Sequence, residues 1–233
     1  MLVLALDTTT RQGSVAVVKD DRLLLERPGD AARPHAERLP AEILSALADA
    51  GASVGDVDVF AVASGPGSFT GLRVGIATIQ GLALATSRNV VAVSALDALA
   101  HLASTDRAAG DLIGVWMDAY RREVFSALYR VSGADPYTQE RLEEIEGPVV
   151  SAPDAALARW LHTGCRPTVW IGDGSAVYST MIESIGEVRK TEPMAGTIGR
   201  LAITRSRAHG AINPAAIQPL YVRRPDAEVA RDR

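Results

Sequence analysis

Three short stretches carry the residue types from which phosphate or metal chemistry is built. Asp7-Thr8-Thr9 places a carboxylate and two hydroxyls directly after an apolar run, residues 2–6. A carboxylate there can hold a hydrated divalent ion while hydroxyls and amides meet phosphate, or it can be a hydrogen-bonded strand-end group with a structural part only. Gly65-Pro66-Gly67-Ser68-Phe69-Thr70-Gly71-Leu72-Arg73 lies between an apolar run and a helical pattern, where α/β proteins seat ligands. Its glycines permit close backbone approach, and the helix start offers N–H groups to an anion. Spacing alone leaves a tight packing turn equally open. The stretch lacks the Gly-Lys-Ser/Thr ending of a P-loop, and Ser68 does not stand in G-x-S-x-G. The third stretch, Gly172-Asp173-Gly174-Ser175, is a turn between an apolar run and a helix start.

Metal and nucleophile chemistry find little support. The histidines stand at 35, 101, 162 and 209, and no two are three or four apart on one helical pattern. Single-helix chelation needs such a pair so that both rings face one way. With one cysteine, Cys165, and no defensible Ser/His/Asp spacing, neither a metal nor another cofactor is expected.

The elements that must position these residues read as follows. Residues 2–7, 14–18 and 22–26 form a three-stranded meander. Residues 36–50 repeat Leu39, Ile43, Leu44 and Leu47 at helical spacing, with Pro40 in the first turn and Gly51 as the stop. A strand over 57–63 precedes the glycine-rich loop. The helix after it, 72–86, is apolar or small on nearly every face, so it is buried or carries an interface. Residues 90–94 and 95–103 add a strand and a short helix. Residues 113–131 then echo the strand–Asp–turn–strand start, with Asp118 standing where Asp7 stood. Duplicated halves predict a two-lobed α/β architecture of mixed sheets flanked by helices, with lobes over 1–104 and 105–224. A polar stretch, 133–148, reads as a loop or edge strand, 168–178 as strand, turn and helix start, and 194–209 as a last helix. Residues 225–233 are expected to be disordered.

Of the 233 residues, 47% are hydrophobic and 22% charged, as in ordinary globular proteins. No apolar run reaches membrane-spanning length, and the N-terminus lacks the basic flank of a signal peptide. A lone cysteine suits a reducing compartment, so a cytoplasmic protein is expected. Residues 189–233 hold nine Arg/Lys against four Asp/Glu, whereas the other 188 hold 15 against 24. That basic end, including Arg200, Arg205 and Arg207, is either a solvated face or a contact for nucleic acid.

The string SGPGSFTGLRVGIATIQGLA (64–83) resembles the signature of the TsaB (YeaZ) family. LALDTTT with SVAVV, HAERLPAEI (35–43), MDAYRREVFSALY (117–129) and PLYVR (219–223) extend the likeness, strongly over 1–130 and loosely over 165–224. The resemblance implies the actin/Hsp70-like (ASKHA) fold, in which Asp7-Thr8-Thr9, a 118–122 loop and the 172–175 turn would face a nucleotide. Here 118–122 has no glycine and two bulky arginines. Asp7, Thr8, Thr9, Gly65, Gly67, Ser68, Gly172 and Gly174 are therefore expected to be a vestigial nucleotide or anion site. The paralogous transferase TsaD holds a metal with H-x-x-x-H. In this chain His35 fills the first position and Leu39 the second, so the metal site is lost. The implied role is a non-catalytic scaffold for tRNA threonylcarbamoyladenosine formation that binds TsaD, joins the ATPase TsaE and forms a homodimer when alone. Contact with tRNA is expected only within the complex. An active enzyme of the fold, a small-molecule kinase or glycoprotease-like peptidase, is the alternative. The expected partner surface is a helical face of His35, Glu37, Leu39, Ile43, Gly71, Leu72, Arg73, Gly75, Ile76 and Ile79. Gly71 and Gly75 would open a groove for a foreign helix, and Arg73, unfavourable near a helix N-terminus, would meet a carboxylate or phosphate.

Overall fold

The computed structural model describes residues 1–209 and 212–223. β1 (Leu2–Asp7), β2 (Ser14–Lys19) and β3 (Arg22–Pro28) form the expected antiparallel meander. α1 (His35–Asp49) follows, then β4 (Val59–Gly65), α2 (Phe69–Ala85), β5 (Asn89–Ser94) and α3 (Ala95–Ser104). The sheet order is β3-β2-β1-β4-β5, with β4 and β5 parallel to β1. Alternate residues of β1 serve opposite faces, as the two-residue period of a strand requires. Val3 and Ala5 enter the central core, while Leu2, Leu4 and Leu6 pack under α1 and α2.

The second half repeats this plan. β6 (Leu112–Asp118), β7 (Val124–Val131) and β8 (Leu142–Ser151) are antiparallel. α4 (Pro153–His162), β9 (Val169–Ile171), α5 (Asp173–Val177), α6 (Ser179–Ile182) and β10 (Glu187–Val188) complete the order β8-β7-β6-β9-β10. Asp7 and Asp118 each end the first strand of their meander, paired with Ser14 and Val124 respectively. The duplicated five-stranded order is the two-lobed actin/Hsp70-like fold. Among the described residues no helix is long and apolar enough to cross a membrane.

The polar stretch 133–148, read as a loop or edge strand, runs into the ten-residue edge strand β8. Two features depart from the sequence reading. α4 has no counterpart in the elements expected from sequence. More consequentially, α7 (Ala195–His209), assigned to the C-terminal lobe, packs on the first lobe's sheet. The Ala195 N–H donates to Ser14 Oγ (3.1 Å) and the Gly196 N–H to Glu26 Oε1 (2.7 Å). A Cβ at Gly199 would stand 2.7 Å from Val18 Cγ2, so only glycine lets the helix lie that close. α3 and α7 are thereby enclosed by apolar faces of both sheets, in one core that runs from Val3 and Val18 through Leu201 to Val115 and Ile171. After α7 the chain returns to the first lobe, where Ile212 bridges Val90 and Ile217 is buried beneath α2. The expected tail, 225–233, lies outside the described residues.

Candidate functional site

The carboxylates singled out in the sequence meet where the lobes adjoin. Asp7 is buried, and its Oδ1 accepts from the Thr9 N–H (2.8 Å) and Thr9 Oγ1 (2.7 Å). Burial raises its pKa to about 6, against the lowering by these bonds, and Asp173 across the boundary pushes it the same way. Asp173, also raised by burial, accepts from the N–H groups of Asp118 (2.9 Å) and Gly174 (3.0 Å). Asp118 Oδ1 accepts from the Tyr120 N–H (2.9 Å). Each carboxylate thus holds backbone of its own or a neighbouring loop. Among the described residues, no three His, Cys, Asp or Glu side chains are placed to hold a metal.

The glycines explain why these loops lie so close. The Ser68 N–H donates to Thr9 O (2.7 Å), and a Cβ at Gly67 would stand 2.6 Å from Thr9 Cβ. Further along α2, Cβ atoms at Gly71 and Gly75 would run into Thr8 O and Thr8 Oγ1. The small residues of the signature therefore let α2 sit directly on the Asp7-Thr8-Thr9 loop, and Ser68 caps the helix by accepting from the Gly71 N–H (3.2 Å). Thr8 Oγ1 is left buried without a partner. Gly65 needs its glycine for φ +117°. In the second lobe, Gly172 and Gly174 lie against the β6 backbone at Trp116 and Met117. Of the two readings open at the sequence level, close packing is the one these contacts display.

The turn between β6 and β7 is unusual. Tyr120, Arg121 and Arg122 all have left-handed backbone, φ 56°, 54° and 63°, at about 1–2 kcal/mol per non-glycine residue. Bonds between Ala119 and Glu123 and between Glu123 and Tyr120 close it. Arg223 fastens it from outside, donating to Ala119 O (2.8 Å) and pairing with Glu123. Arg223 ends a strap, 212–223, that crosses from one lobe to the other. Upstream of it, the Leu220 N–H donates to Ser64 O (2.7 Å), and the Tyr221 ring lies 5.3 Å from that of Phe69. Nothing in local sequence pattern signals this strap beyond the PLYVR string.

The expected partner face needs the largest revision. Leu39, Ile43, Leu72, Ile76 and Ile79 are at most 4% exposed, and Gly71 and Gly75 are buried too. The groove at Gly71 and Gly75 is filled by the chain's own Thr8, so no foreign helix enters it. Arg73 meets no acid: its guanidinium lies 3.9 Å from the Phe69 ring centre and donates to Tyr221 Oη (3.1 Å). His35 is also engaged, with Nε2 donating to Thr10 O (2.9 Å) and Nδ1 accepting from Arg38 (2.8 Å). Burial lowers its pKa, which favours that neutral form. Only Glu37 and Arg73 of the ten are exposed. What α1 and α2 do present outward is Leu44 (58% exposed) and Leu84 (62%), with Ala41, Ala48, Ala77 and Gly81 also exposed. The signal was available: Leu44 exceeds what one buried stripe of α1 can absorb.

The basic end is likewise largely spoken for. Arg200 donates to Tyr137 Oη (2.9 Å), Arg205 pairs with Asp97, and Arg207 lies 3.8 and 3.7 Å from Asp20 and Asp21. The free basic surface expected on this helix is thus mostly internal pairing. Two cavities remain at the front of the lobes. One, about 440 Å³, is lined by residues 66–70, the Asp118–Tyr120 turn and the strap. The other, about 430 Å³, contains Arg11, Arg33 and His35.

The family model described as "TsaD: tRNA N6-adenosine threonylcarbamoyltransferase" matches residues 27–185. An uncharacterized protein of Mycobacterium tuberculosis is 34% identical, over 97% of this chain and 93% of its own length. The tRNA threonylcarbamoyladenosine biosynthesis protein TsaB of Haemophilus influenzae is 30% identical over 96% and 94%, and that of Escherichia coli 32% over 73% and 74%. A crystal structure from Pseudomonas aeruginosa, described as similar to peptidase YEAZ, superposes with a TM-score of 0.78 at 29% identity, covering 95% of this chain and 99% of that one. Matching TsaB relatives in sequence over as much as 96% of its length, and a YeaZ-like structure over 95%, the chain belongs to the TsaB (YeaZ) family.

Proposed function

We propose that this chain serves threonylcarbamoyladenosine formation on tRNA as a non-catalytic subunit that binds TsaD, with TsaE joining the larger assembly. The observation that carries the reading is where the would-be catalytic loops spend their groups. The Thr8-Thr9 loop is covered by Gly67 and by α2 at Gly71 and Gly75, and the 172–174 turn is seated on β6. An enzyme of this fold needs those backbones open to phosphate. The surface left for a partner is the outer side of α1 and α2, where the large apolar side chains of Leu44 and Leu84 stand in solvent. The same face pairs two copies of the chain when TsaD is absent.

The test is co-purification with TsaD and sizing of the free chain. A Leu44→Glu/Leu84→Glu variant is expected to melt like the parent, stay monomeric and lose TsaD. Retention of TsaD by the folded variant would move the interface elsewhere. ATP turnover by the purified chain, abolished by Asp7→Ala, would overturn the non-catalytic role and favour an active enzyme of the fold.

A further inference from the structure

We propose that the front of the interlobe boundary binds a splayed nucleotide of single-stranded RNA, its base among Phe69, Tyr120 and Tyr221 and a flanking phosphate at Arg11 and Arg33. Among the described residues, the exposed large hydrophobic side chains include three aromatics, these three, at 41%, 66% and 40% exposure. All three line the same cavity of about 440 Å³. Their origins differ: Phe69 begins α2, Tyr120 stands on the left-handed turn of the second lobe, and Tyr221 belongs to the strap. Aromatic faces gathered from three elements around one opening suit a flat ring that can stack. Asp118, also lining the cavity, uses Oδ1 for the Tyr120 N–H. Its second oxygen is available to an amino or ring N–H group of a base.

The neighbouring cavity supplies the opposite chemistry. It shares Ser68, Thr70 and Tyr120 with the first, carries Arg11, Arg33 and His35, and has no acidic residue in its lining. Arg11 spends Nε on Ala31 O (2.8 Å), which leaves its terminal nitrogens. The Arg33 side chain has no hydrogen bond or ion pair among the described residues. A stacking pocket next to a cationic one, with Ser68, Thr70 and Tyr120 common to both, matches the alternation of base and phosphate along a strand. An apolar metabolite would use one cavity and leave the other idle. This contact adds to the TsaD-binding reading and is tested without TsaD, so either can fail alone.

The experiment titrates the full chain into a short single-stranded RNA bearing one 2-aminopurine, at low salt. Saturable quenching is expected. Tyr120→Asn, which suits the left-handed backbone, should weaken binding about tenfold and remove most of the quench, as loss of one base stack does. Arg33→Ala should lower affinity and flatten the salt dependence by about 0.7 in the log–log slope, the change that removing one cation from a strand phosphate produces. Thermal melts matching the parent would confirm that both variants fold. No quenching at low salt, or unchanged affinity in both folded variants, would overturn the proposal. Equal affinity for 2-aminopurine riboside monophosphate would also overturn it, because the site would then take free nucleotides and not a strand.

Discussion

Replacing Asp7 with asparagine should stabilise this protein at neutral and alkaline pH. The carboxyl titrates near 6 in the folded chain against 3.8 when solvated. At about 1.4 kcal/mol per unit, holding it ionised costs roughly 3 kcal/mol. Asparagine keeps an oxygen for the Thr9 N–H and hydroxyl and carries no charge. Those bonds are weaker to a neutral acceptor, so the net gain at pH 8 is expected at about 1–3 kcal/mol. The sign is set by proton binding. Between 3.8 and 6 the native state holds a proton that the unfolded chain has released, so the wild type loses stability as pH rises through this window. The advantage of Asp7→Asn should therefore shrink as pH falls and vanish near pH ~4. Urea unfolding followed by fluorescence of the buried Trp116, Trp160 and Trp170, repeated from about pH 4 to 8, measures the difference directly. A variant less stable than wild type by the same amount at every pH would refute the reasoning. It would mean that the carboxyl titrates alike in the folded and unfolded chain, so that burial is not what governs Asp7.

His101 provides the opposite slope. Burial lowers its pKa from 6.5 to about 4, so its contribution is fully present above 6.5 and lost as pH falls through 4; His101→Gln should flatten that acid-side loss in the same titration. Gly75→Ala should cost about 1–3 kcal/mol through collision with Thr8. Thr8→Ala, whose hydroxyl has no partner, should be nearly neutral alone and relieve most of the Gly75→Ala penalty. Additive costs in that double-mutant cycle would show that the two residues do not meet.

The meanders, the helix over 35–49 and the echo between the halves were legible because each rests on local periodicity. Asp118 matched Asp7 in the sequence and occupies the equivalent strand end in the structure. The signature glycines were legible as demanding close approach, but their spacing could not say what approaches. Gly71 and Gly75 read as a groove for a partner because small residues look alike whether a foreign helix or the chain's own Thr8 fills the space. Arg73 was legible as needing a neighbour, yet that neighbour, Tyr221, is 148 residues away, beyond any local pattern. The arginines of α7 counted as free charge in the sequence because their partners, Asp97 and Tyr137, come from other elements.

The placement of α7 bears on how the chain is made. A ribosome releases β1 to β5 first, yet the face of that sheet formed by Val3, Ala5, Ala16 and Val18 shares its core with the far C-terminal α7, which packs on β1 and β2. Throughout synthesis of the second half, the first half carries an unfinished apolar surface. N-terminal units that close on themselves can fold as they emerge. Here the first lobe's core is completed by α7, so a truncation before Ala195 is expected to uncover the opening strands and promote aggregation, although it deletes nothing from the first 104 residues.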